Sequence, residues 1–256
     1  MGAEKLFDVK GKTVLITGSS QGLGLTFAYG LAKAGCKIIL NGRDKTKLNK
    51  IVEKFRKDGY ETYDSAFNVC NEDEVETAIK NIHDKIGAID ILVNNAGIQI
   101  RGQLEDFKLA DWKEIIDTNL TGAFLVSKTV VKDMIELKSG KIINICSVQS
   151  ELARQNITPY TASKGGLKNL TKGMAADWAK YNIQINGIAP GYFKTELTKA
   201  LYEDEKFDTW LRNRAPANRW GDPEELIGAL IFLSSSASNY INGQLIYVDG
   251  GLICSV

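Results

Sequence analysis

One histidine, His83, serves the whole chain. That scarcity excludes a His-rich metal site and leaves a Ser-His-Asp triad improbable, so no metal is expected and proton chemistry must find another acid. Cysteine is scarce as well. Cys36, Cys70, Cys146 and Cys254 stand far apart with no CxxC, which suits free thiols in a reducing cytoplasm rather than a disulfide framework. No apolar run approaches the ~18 residues of a membrane span. The first ten residues carry Glu4 and Asp8 without an apolar signal core, so neither a membrane partner nor export is expected. Neither sign of charge dominates: 32 Lys+Arg against 31 Asp+Glu argue against a nucleic-acid groove. Linkers, low-complexity stretches and internal repeats are missing too, so residues 1–256 read as one domain.

What the chain does contain is a rhythm. Thr13–Thr17, Lys37–Leu40, Ile89–Val93, Lys141–Ile145, Ile183–Asn186 and Gln244–Val248 read as strands buried on both faces, and Glu61–Phe67 as a weaker seventh. Helical patterns alternate with them. Leu48, Ile51, Val52 and Phe55 form one apolar stripe. Ile115, Ile116, Ala123, Phe124, Val130, Val131 and Met134 predict one longer helix. The fold class is therefore α/β, a doubly wound parallel sheet with helices on both faces. The rhythm breaks over residues 191–221, a charged, aromatic-bearing insertion after a strand. Such a segment is either a lid over a ligand at the strand ends or a solvated helical hairpin.

Chemistry-bearing residues cluster at those strand ends. Gly18, Gly22 and Gly24, with Ser20, Gln21 and Leu23 between them, follow the first strand and open a helix. Glycine there lets backbone amides approach phosphate oxygens, and the helix N-terminus favours an anion; the GxxxGxG spacing alone also suits a tight strand–helix turn. At the end of the second strand, Gly42-Arg43 stands where an NAD site usually carries an acid. A guanidinium suits a 2′-phosphate, so NADP(H) is favoured and NAD(H) is the alternative, with Asp44 a candidate N-cap and Arg43 otherwise a surface charge. Tyr160 and Lys164 lie four apart on one helical face. Bringing a phenol from its ordinary value to near 7 takes about 4 kcal/mol, much of which a neighbouring ammonium in a dry cleft supplies. Ser147 ends the preceding strand pattern. The pair YxxxK is common by chance, and Asn119 on the long helix could serve a helix–helix hydrogen bond.

Together these elements resemble the short-chain dehydrogenase/reductase family over nearly the whole chain. The TGxxxGxG turn from Thr17, the Asn94-Asn95-Ala96-Gly97 element, the set Asn119/Ser147/Tyr160/Lys164 and the Pro190-Gly191 step occur in the family's order and spacing. Between Lys141 and Leu201 the chain is most similar to the family's gluconate 5-dehydrogenase branch. The resemblance implies a Rossmann-type domain moving a hydride between a nicotinamide and a secondary alcohol or ketone. Tyr160 would act as acid in reduction and base in oxidation, Lys164 would lower its pKa and hold the nicotinamide ribose, Ser147 would orient the carbonyl, and Asn119 would hold a relay water. Asn68, Val69, Asn95, Ala96, Gly97, Pro190, Gly191, Phe193 and Thr195 would complete the cofactor site. Asn68 departs from the aspartate common in the family, so adenine would meet an amide.

The branch implies a sugar acid, D-gluconate or 5-keto-D-gluconate, as partner molecule. Its carboxylate needs an arginine once water is excluded. Arg101 and Arg154 are candidates, Arg101 preferred as lying farther from Tyr160, with Gln149, Glu151 and Tyr192 facing the hydroxyls. A reductase of 3-oxoacyl groups or another sugar acid, and a dinucleotide-binding protein without turnover, are the alternatives. Phe124, Leu125 and Val126 together exceed one apolar stripe. The family implies that such helices and the strand around Val248 build a homotetramer.

Overall fold

The computed structural model describes residues 2–255. Seven strands, β1 (Thr13–Ile16), β2 (Lys37–Gly42), β3 (Thr62–Ala66), β4 (Ile91–Asn94), β5 (Gly140–Ile145), β6 (Ile183–Pro190) and β7 (Leu245–Val248), form one parallel sheet in the order β3-β2-β1-β4-β5-β6-β7. All seven expected strands are present. β6 runs four residues beyond its expected end, because Gly187, Ile188, Ala189 and Pro190 continue to pair with β7.

After a short turn of helix, α1 (Ala3–Leu6), the crossovers are α2 (Gly22–Lys33), α3 (Lys45–Lys57), α4 (Glu72–Ile86), α5 (Leu109–Ile116), α6 (Gly122–Leu137) and α7 (Thr158–Trp178). Two short helices, α8 (Lys199–Tyr202) and α9 (Glu205–Arg214), follow β6, and α10 (Ile227–Ser234) leads back to β7. Strand alternation builds two cores. Val14 and Ile16 of β1 face Phe27, Leu31, Phe55 and Leu230 from α2, α3 and α10. Leu15 points the other way, into the layer of Val75, Ile79, Val126, Met134 and Met174 from α4, α6 and α7. The carboxyl end of this two-sided sheet is free to carry a site.

Two devices set the ends of the helices. Asp44 caps α3, its carboxylate accepting from Lys47 N at 3.0 Å, so the acid beside Arg43 is occupied structurally. Asp222 and Glu225 form a reciprocal capping box ahead of α10, with Pro223 in the first turn. The expected long helix is present but not uniform: residues Asp117–Thr121 form a π-helical turn between α5 and α6. Such an extra residue in a turn swings a side chain off the regular stripe. Here that side chain is Asn119, buried to 1% exposure.

Candidate active site

From β1 the chain winds outward to β2 and β3, then returns to place β4 on the other side of β1. The carboxyl ends of β1 and β4 therefore open a crevice, the general ligand position of such sheets. A cavity of about 580 Å³ lies there. Its floor is the turn after β1. Gly18 has φ +62°, and a Cβ on it would stand 2.8 Å from the Ala96 Cα; a Cβ on Gly24 would stand 2.5 Å from the Gly18 carbonyl oxygen. Neither position admits a side chain. The turn is held by Asn41, whose Oδ1 accepts from Gly18 N at 3.1 Å, and by Asn95, whose Nδ2 donates to the carbonyls of Thr17 and Gly18 at 2.9 and 3.0 Å. Gln21, the N-cap of α2, makes no side-chain cap bond, and the first turn of α2 has no acid. A helix start left open toward a cavity in this way fits a phosphate.

The far end of the cavity suits the rest of a dinucleotide. Arg43 is exposed on its wall and forms no ion pair among the described residues. Asn68 and Val69 lie beside it. The Asn68 Oδ1 accepts from Cys70 N at 3.1 Å, so this amide also shapes its own turn. Ser20, Gln21, Gly22, Leu23, Asn95, Ala96, Gly97, Pro190, Gly191, Phe193 and Thr195 all line the same space.

At the other end stand the proton-handling groups. α7 carries Tyr160 and Lys164 one turn apart, with Lys164 Nζ 5.7 Å from the centre of the Tyr160 ring. Lys164 Nζ donates to the Ile145 carbonyl at 2.7 Å, and Ser150 Oγ donates to the Lys164 carbonyl at 2.9 Å, which locks the helix to the end of β5. Ser147 follows that strand end and its Oγ accepts from Gln149 N at 3.1 Å. Burial pushes the Tyr160 phenol up to about 12, opposed by a hydrogen bond from Ser147, and pushes the Lys164 ammonium down to about 8. This reverses the sign expected for Tyr160. The reason is geometric: the ammonium is aimed at a backbone carbonyl, and desolvation of the phenol is the dominant influence on Tyr160.

Three expected site residues do not line the cavity. Asn119 sits behind it: its Oδ1 accepts from Ile98 N at 2.8 Å, and its Nδ2 donates to the Ile98 carbonyl and to Ser163 Oγ, each at 3.0 Å. It thereby pins the loop after β4 to α7. Glu151 is turned away, its carboxylate bound by Lys168 and by the Tyr247 hydroxyl. Arg101 is exposed outside the wall, near enough to Arg154 to feel its charge. Arg154, Gln149 and Tyr192 do line the cavity. Thr17, which accepts from the amides of both Asn95 and Ala96 at 3.0 Å, and Asn41 were given no part in the site by the sequence reading. Their signal was a polar residue at the very end of an otherwise apolar strand. Among the described residues no cluster of His, Cys, Asp or Glu could hold a metal.

Comparison with known proteins agrees with this geometry. Residues 12–206 match the family described as short chain dehydrogenase. The chain belongs to the short-chain dehydrogenase family. It is 53% identical over 251 residues to the 5-keto-D-gluconate 5-reductase of Escherichia coli, covering 98% of this chain and 99% of that protein. Identity to the gluconate 5-dehydrogenase of Gluconobacter oxydans is 50% over 251 residues, covering 98% of each. A gluconate 5-dehydrogenase from Burkholderia cenocepacia, solved in complex with NADP and tartrate, superposes with a TM-score of 0.98 at 51% identity over the full length of both chains.

Proposed function

We propose that this short-chain dehydrogenase transfers a hydride between NADP(H) and C5 of a six-carbon sugar acid, interconverting D-gluconate and 5-keto-D-gluconate. The observation that carries the reading is the cavity itself. It puts Ser147, Tyr160 and Lys164 at one end, an unpaired Arg43 at the other, and a glycine cradle between. The relatives named above support the same substrate and cofactor. When bound, the dinucleotide supplies or accepts the hydride; everything else falls to the protein.

Gly18, Gly24 and the start of α2 would hold the pyrophosphate, and Arg43 the 2′-phosphate. Ser147 holds the substrate oxygen by its hydroxyl. Tyr160 gives its phenolic proton to that oxygen in reduction and takes it back in oxidation. Lys164 offsets the phenolate charge formed as the proton leaves, which in a dry site matters more than in water. Asn119 keeps the loop after β4 and α7 in register, so the distance across the site stays fixed. The segment 191–221 acts as the lid of the single domain. Its helices α8 and α9 rest on a small apolar cluster of their own, with Leu201, Leu211 and Trp220 packed on Val148 and Leu252. The enzyme works in the cytoplasm as a homotetramer. Among the described residues no helix is long and apolar enough to cross a membrane.

The test is NADPH consumption with 5-keto-D-gluconate, compared with NADH and with a 3-oxoacyl thioester. Faster turnover of the thioester would overturn the substrate, and NADP binding with no turnover of either would overturn the enzyme reading.

A further inference from the structure

Two buried polar atoms in the cavity wall have no hydrogen-bond partner, Nε of Arg154 and Oε1 of Gln149. Folded proteins rarely leave such atoms unpaired unless something else is to meet them. Both residues share the wall with Ser147 and Tyr160. Arg154 is half-buried and forms no ion pair among the described residues. Its guanidinium lies 5.1 Å over the Phe207 ring of α9. Phe207 is in turn packed edge-on against Tyr192, whose ring is 5.5 Å away. Arg101 presses on Arg154 with like charge from outside the wall. A guanidinium in a cavity wall with no acid paired to it makes a place for an anion.

We propose that Arg154 is the residue that selects acids: its fork takes the substrate carboxylate, Gln149 Oε1 accepts from a sugar hydroxyl, and Phe207 fixes the plane of the fork. The inference rests on the sugar-acid reading and names the group that enforces it. Arg154 suits the role better than Arg101 because it lies on the wall, carries a sealed, unpaired donor, and is held by an aromatic face. Arg101 then adds charge at the mouth. Through Phe207 the carboxylate is also linked to the segment that follows β6.

The experiment compares 5-keto-D-gluconate with L-sorbose, in which a neutral CH2OH replaces the carboxylate. Arg154→Ala is expected to raise KM for the acid ~10–100-fold, as for loss of a charge-assisted pair, while leaving kcat/KM for L-sorbose within about 3-fold. Arg154→Lys should recover part of the acid's affinity by charge alone. Phe207→Leu should show the same selectivity at smaller size, about 3–10-fold. Equal losses on both substrates, or an acid KM unmoved by Phe207→Leu, would overturn the proposal. Calorimetric binding of D-gluconate to the NADP-loaded protein separates the two readings. Binding that Arg154→Ala abolishes, without turnover in the parent protein, would sink the sugar-acid chemistry and keep the anion site. Equal binding by parent and variant would sink the anion site.

Discussion

Tyr160 and Lys164 are displaced from their ordinary titration in opposite directions by one cause, the dry wall they share. Each change makes the charged form harder to reach, yet at pH 7 Tyr160 keeps its phenolic proton while Lys164, at about 8, still carries its charge. Tyr160→Phe keeps the ring and removes the only transferable proton. Turnover should fall by at least ~100-fold while NADP binding, measured by protein fluorescence, stays within a few-fold. Near-normal turnover would end the mechanism. Arg43 gives the second test at this scale. Arg43→Ala should weaken NADP(H) by ~1–3 kcal/mol and leave NAD(H) nearly unchanged, since only the 2′-phosphate differs. A parent enzyme with better kcat/KM for NAD(H) would contradict it. The YxxxK pair could be read in the chain because helical spacing is local. Where the Lys164 ammonium points could not, since the Ile145 carbonyl reaches it only through the sheet.

Single elements carry opposite demands at their two ends. β5 delivers Ser147 just beyond its carboxyl end, and near its amino end it buries Lys141. Lys141 donates to Ser238 Oγ at 3.2 Å and Asn239 Oδ1 at 2.9 Å, without a carboxylate, and burial draws its pKa down to about 8. Below that value both folded and unfolded chains hold the proton, and the fold bears the full cost of a buried charge. As pH rises from about 8 toward the ordinary lysine value, the unfolded chain keeps a proton that the folded one has released, so stability climbs. Lys164 titrates in the same window. Lys141→Met should remove part of this climb, and the gap in urea midpoint between about pH 7 and about pH 9.5 should narrow. An unchanged gap would mean that Lys141 does not titrate there. The π turn at Asn119 is the element that sequence periodicity missed. One extra residue in a turn leaves the apolar stripe on either side intact, so α5 and α6 read as a single helix.

For the whole molecule, topology was legible because strands buried on both faces are near-continuous apolar runs, and the alternation of strand and helix leaves few ways to wind the sheet. The proposed choice of Arg154 over Arg101 was not, because it rests on the cover that Phe207 brings from another part of the chain. Assembly is the remaining test. Phe124 and Trp112 on α6 and α5 stay 44% and 36% exposed, and all four residues of the edge strand β7 stay only half-buried. Apolar surface in these places is what a homotetramer would cover. Light scattering should give about four times the mass of one chain. A monomer at working concentration would contradict it.

The strand order also has a history written into it during synthesis. β1 pairs with β2, which leaves its other edge bare until β4 emerges roughly 75 residues later. At the usual pace of translation that interval is ~4–15 s. For those seconds the nascent chain offers an unpaired apolar edge, flanked by the glycine turn that later cradles the ligand. Parallel pairing cannot close it early, because the partner strand does not yet exist. The position that makes the finished crevice a binding site is thus also the edge that cannot close until β4 has been made.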